Sequence, residues 1–115
     1  MMKTITEKEK ITLSEIKEMS KKMGDLVKAV VDVEKGVMAV DAELHSDEEA
    51  ALLEEGSSQE NLWGINLYPE LSGDDFVEFD SMINLRPSQN NRSRDVEDPR
   101  IREKILKIVN NLVTK

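Results

Sequence analysis

The sequence predicts an α+β fold: a single antiparallel β-sheet with three helices packed mainly on one face, in the order β-α-β-β-α-β-β-α. Three observations lead there. Apolar and polar residues alternate on both sides of a glycine turn, the pattern of a hairpin. Three other stretches carry helix start signals followed by helical stripes. The links between strands are short, which makes neighbours antiparallel and leaves the helices to bury their stripes against the sheet. A chain of 115 residues forms one domain, residues 1–115, long enough to bury a core without staples.

The elements follow in order. "MKTIT" reads as a short edge strand. In "ITLSEIKEM", Thr12 and Glu15 have capping-box spacing, and Ile11 and Ile16 occupy the hydrophobic-staple positions. Leu13, Ile16, Met19 and Met23 then mark one face, and Gly24 stops the helix, predicted at 13–23. In "VKAVVDVEKGVMAVDAELH", Val27, Ala29, Val31 and Val33 alternate with polar residues, as do Met38, Val40, Ala42 and Leu44. A two-residue turn at Lys35-Gly36 pairs Val33 with Met38 and Val31 with Val40. Lys28, Asp32, Glu34, Asp41, Glu43 and His45 then share the opposite face.

"SDEEAALLEEG" predicts a second helix, with Ser46 and Glu49 at capping-box spacing and Gly56 after it. A strand over 50–54 is the competing reading. "LWGINLYPE" predicts a strand with Trp63, Ile65 and Leu67 inward. "FVEFDSMINLR" predicts a longer one, with Val77, Phe79, Ser81, Ile83 and Leu85 on one side. Asp98 caps a last helix with Pro99 in its first turn, where a missing N–H does no harm. Ile101, Ile105, Ile108 and Leu112 form its stripe. All four aromatic residues, Trp63, Tyr68, Phe76 and Phe79, fall in the second hairpin.

Composition narrows the function. The chain has 16 basic and 24 acidic residues and a formal net charge of -8. Nucleic acid and anionic membrane are therefore disfavoured partners unless a local basic patch overrides the repulsion. The lack of cysteine excludes disulfides, thiolate metal sites and cysteine nucleophiles. No long apolar run occurs, and "MMKTITEKEK" lacks the apolar core of a signal peptide, so a cytoplasmic location is expected.

The charge is unevenly placed. All five arginines follow residue 85, three of them in "RPSQNNRSR". Arg86, Ser88, Asn90, Asn91, Arg92 and Arg94 make a candidate site for an anion or partner, because guanidinium forks and amides suit carboxylates and phosphates. The alternative is that these arginines pair with the chain's own acids. The stretch has no glycine, so it is neither a Walker loop nor a dinucleotide fingerprint. A second candidate is the polar sheet face. Asp41 and Glu43, joined by Asp80, could hold a divalent cation, and the alternative is a solvated sheet surface. His45 is the sole histidine, a possible acid or base or else a packing residue. Trp63, Asn66 and Asn84 are possible site walls.

Three motifs, "ELHSDEE", "GSSQENLWGINLYP" and "INLRPSQNNRSR", resemble a family of small uncharacterised bacterial and archaeal proteins, a domain of unknown function. The resemblance spans about residues 27–113. It implies a single-domain prokaryotic protein and brings no activity, cofactor or catalytic residue with it.

The sequence therefore favours a binding or interaction module whose 86–94 loop meets a small anionic ligand or an acidic protein surface. The rival is a metal-dependent or acid–base enzyme using Asp41, Glu43 and His45. A homodimer held by the arginine loop is a third possibility. The sequence leaves the cofactor unknown.

Overall fold

The computed structural model describes residues 2–115. Its elements are β1 (Lys3–Ile5), β2 (Ile11–Thr12), α1 (Leu13–Ser20), β3 (Val27–Asp32), β4 (Val37–Val40), α2 (His45–Glu54), β5 (Leu62–Leu67), β6 (Val77–Glu78), α3 (Pro99–Leu112) and β7 (Val113–Thr114). Five strands form a sheet in the order β1-β4-β3-β5-β6, with every neighbouring pair antiparallel. β3 is antiparallel to both β4 and β5, so those two run parallel, and α2 connects them across β3.

The period-2 pattern accounts for the layering. Ala29, Val31, Met38, Val40, Trp63, Ile65 and Leu67 face one core with Ile16 of α1 and Ile105, Val109 and Leu112 of α3. Val30, Ala39 and Leu62 face the other way, beneath Leu52 of α2. Two helices thus share one face, as expected, and the third covers the opposite face. That face is not an open polar surface: Asp32 and Asn66 on it are buried. The expected single sheet is also incomplete as a description. β2 and β7 form a second, parallel pair that ties Ile11 to Val113 and Thr12 to Thr114.

Several local signals are met. Thr12 caps α1 with a full capping box, and the staple residues Ile11 and Ile16 are fully buried. Gly24 follows α1 and a 3-10 turn at positive φ. The Asp98 side chain caps α3, with Pro99 in its first turn.

The first hairpin is shifted by two residues from the expected register. Val31 faces Met38 and Ala29 faces Val40. The turn is longer because the Asp32 carboxylate organises it. Asp32 Oδ1 accepts from the N–H groups of Glu34 and Lys35, at 2.9 Å each, and Gly36 closes the turn at φ 70°. A two-residue slip keeps every side chain on its face, so alternation alone cannot detect it.

Two further expectations are corrected. α2 is a helix, not a strand, but it begins at His45 and its N-cap is Leu44. Ser46 makes no capping bond. The acid that folds back is Glu48, whose Oε2 accepts from the Ala42 N–H at 3.0 Å. Asp41, Glu43 and His45 are consequently not aligned on a strand: β4 ends at Val40, and Asp41 turns the chain at φ 71°. The long strand after Phe76 pairs with β5 only at Val77–Glu78. From Ser81 onward the chain lifts into a 3-10 turn, Met82–Asn84.

Candidate functional site

That departure builds the site. Beyond β6, the edge of β5 at Gly64 has lost its ladder partner, and buried backbone polar groups need one. The Asn84 side chain takes the role. Its Oδ1 accepts from Gly64 N–H at 2.8 Å, and its Nδ2 donates to the carbonyls of Gly64 and Arg94, at 3.0 Å each. Asn84 is fully buried. Gly64 matters by what it lacks: a Cβ there would stand 2.6 Å from Ser81 Cβ and Oγ and 3.2 Å from His45 Cδ2. The bare strand lets Ser81 and His45 close in from two segments.

His45, the first residue of α2, is about nine-tenths buried. Its Nε2 lies 2.7 Å from the Ile65 carbonyl oxygen. A carbonyl only accepts, so Nε2 carries the proton. Burial lowers the His45 pKa from its ordinary value, opposed by the bond to Ile65; Lys28 and Arg94 push it further down and Asp80 pushes it up. The neutral ring then has an acceptor at Nδ1, which has no hydrogen-bond partner among the described residues.

His45 opens onto a concavity of about 170 Å³. Lys28, Ser46, Ser81 and Arg94 supply its polar wall, and Leu44, Met82 and Ile83 its apolar one. Arg94 Nε donates to Asp80 Oδ1 at 2.6 Å, and its terminal nitrogens make no bond among the described residues. Lys28 forms no ion pair among the described residues. One titratable neighbour, His45, is neutral. Another is Glu48, which burial pushes up to about 9, so it too is uncharged at neutral pH.

A family model described as a protein of unknown function, DUF5674, matches residues 4–112. The chain belongs to the DUF5674 family. No curated protein and no solved structure matched it. The three motifs that implied such a family meet in this DUF5674 fold at one place: His45, Gly64, Asn84 and Arg94 gather about the same stretch of β5, with Ser81 just ahead of the third motif.

The remaining residues singled out from the DUF5674 sequence lie elsewhere or are engaged. Arg86 stacks on Trp63, with its guanidinium carbon 4.3 Å from the ring centroid. It donates to the carbonyls of Gln59 and Leu62 and, at 3.0 Å, to Gln89 Oε1. Burial lowers its pKa from the ordinary value, with Glu49 opposing. Asn91 is buried. Its Nδ2 lies 2.7 Å from the carbonyls of both Asn84 and Asp95, and its Oδ1 accepts from Glu97 N–H at 2.9 Å. Ser88 and Asn90 are exposed, Asn90 in the left-handed region at φ 60°. Arg92 is exposed, and its backbone N–H donates to Glu97.

Asn66 donates to Glu78 Oε1 and the Asp80 carbonyl. Asp41 pairs with Lys22 at 3.0 Å. Glu43 is exposed on a separate shallow depression beside α2. Among the described residues, no group of three or more histidine or carboxylate side chains is placed to hold a metal ion. Among the described residues, no helix is long and apolar enough to cross a membrane. Sequence reasoning missed Lys28, Ser81, Gly64 and Glu48 as site residues. The one available signal was the motif "LWGINL", in which a glycine interrupts a mainly apolar strand, a mark of close backbone approach.

Proposed function

We propose that this DUF5674 protein is a binding module for a small anion, held in the concavity between the start of α2 and the 81–94 segment. The observation that carries the reading is Lys28: a cation that lines a concavity with Arg94, without an ion pair among the described residues, in a chain of 24 acids. Lys28 and the free Arg94 nitrogens supply charge and donors. The hydroxyls of Ser46 and Ser81 supply further donors. Arg94 is the one member of the 86–94 arginine cluster in this wall, while Arg86 and Asn91 hold the loop in shape.

The test is titration of the labelled protein with sodium phosphate and sodium acetate, followed by NMR at the His45 ring and the 44–46 amides. Saturable shifts are expected, weakened at least about tenfold in Lys28→Gln and Arg94→Gln, because each removes one charge-assisted contact. Shifts absent from the parent, or unchanged in both variants, would defeat the proposal.

A second reading uses the same pocket for acid–base chemistry. It is favoured by the fixed His45 tautomer, which leaves Nδ1 able to take a proton from a bound group. It predicts turnover that is abolished by His45→Gln while the anion still binds. Binding without turnover across a panel of phosphate and carboxylate esters would leave only the module.

A further inference from the structure

The anion pocket has a lip that an inorganic ion would not use. Leu44, the N-cap of α2, is 54% exposed, and Met82, which opens the 3-10 turn opposite, is 62% exposed. Both line the same concavity, with the partly buried Ile83 beneath. Exposed apolar side chains scattered singly are ordinary. Here two of the most exposed among the described residues flank one small cationic pocket. Helix caps are normally small polar residues, because a side-chain oxygen there satisfies an amide of the first turn. Leu44 makes no such bond and contributes only apolar surface to the mouth.

The charges set the ligand's valence. Lys28 and Arg94 contribute two positive charges and Asp80, paired with Arg94, one negative. The neutral His45 adds none. The wall therefore carries one net positive charge, which a monoanion balances. A phosphate dianion would leave a negative charge uncompensated in a protein already at -8. The volume, about 170 Å³, takes a small charged head and a few carbons, so a longer substituent must lie over the lip.

We infer that the pocket takes an apolar monocarboxylate, with its carboxylate between Lys28 and Arg94 and its hydrocarbon against Leu44, Met82 and Ile83. This rests on the anion-binding reading and adds the chemical class of the ligand. Burial of methylenes against the lip makes affinity rise with chain length.

The experiment compares acetate, hexanoate, hexanol and inorganic phosphate against the 115-residue chain, by the same NMR titration. Hexanoate is expected to bind roughly tenfold or more tighter than acetate, since each buried methylene contributes a few-fold. Hexanol and phosphate should bind more weakly than hexanoate. In the double variant Leu44→Ser, Met82→Ser the hexanoate-to-acetate ratio should fall toward one. Acetate and phosphate binding without any gain for hexanoate would overturn this inference and leave the anion pocket standing. Hexanol matching hexanoate would overturn it too, showing an apolar site indifferent to charge. Binding of none of the four would remove both readings.

Discussion

At the scale of single residues, Gly64 and Asn84 form one device. A strand that loses its neighbour halfway along needs partners for its backbone, and an amide side chain offers one donor group and one acceptor in the right fork. Asn84→Ala leaves the Gly64 N–H and C=O buried and unpaired. The expected loss is about 3 kcal/mol of unfolding free energy, read from urea denaturation. Gly64→Ala drives a methyl into Ser81 and His45 and should cost about 1–3 kcal/mol by overpacking. It should also perturb the His45 ring resonances, which a general loss of stability would not do below the unfolding transition. Gly64 left a faint mark, a glycine inside a strand pattern, but the Asn84 role was not legible beforehand. Asn84 reads as one more polar position on a strand, and only the lifting of the chain at Ser81 turns it inward.

At the scale of elements, the first hairpin shows how a carboxylate overrides a turn prediction. Lys35-Gly36 suits a two-residue loop. Asp32 instead accepts two turn amides on Oδ1 and the Ser57 hydroxyl, at 2.7 Å, on Oδ2. Asp32→Ala should destabilise by roughly 2 kcal/mol, and Asp32→Asn by less because it keeps an acceptor, as chemical denaturation would show. The same logic explains α2. Ser46 matched a capping-box spacing, yet the positive φ at Asp41 brings the chain in at an angle that starts the helix at His45. α1 and α3 were legible nearly to the residue because their caps, Thr12 and Asp98, act within one turn. The 86–94 segment joins the 3-10 turn Met82–Asn84 to the approach of α3. Its arginines divide by neighbours distant in sequence: Arg86 goes to Trp63 and the start of β5, and Arg94 to Asp80 and the pocket.

At the scale of the whole molecule, burying His45 and Glu48 in one layer makes stability depend on pH in two directions. The folded state raises the Glu48 pKa from 4.5 to about 9, so its contribution is fully present below 4.5 and is lost as pH rises through 9. The folded state lowers the His45 pKa from 6.5, so its contribution is full above 6.5 and is lost as pH falls below that. The two slopes oppose each other just below 6.5. Above it Glu48 acts alone, and stability should fall by roughly 1 kcal/mol per pH unit toward 9. Denaturation midpoints at pH 6.5 and 8.5 should differ in the parent and nearly coincide in Glu48→Gln; equal midpoints in the parent would contradict the buried neutral acid. Alternation and caps, which act between near neighbours, were enough to specify three helices, a mainly antiparallel sheet and the apolar stripes of its core. Which sheet face α2 covers, the parallel clasp of β2 with β7, and the pocket itself were settled by packing. Lys28, His45 and Arg94 are brought together by β5, through a bare glycine and an amide, and no local pattern records contacts made between segments so far apart in the chain.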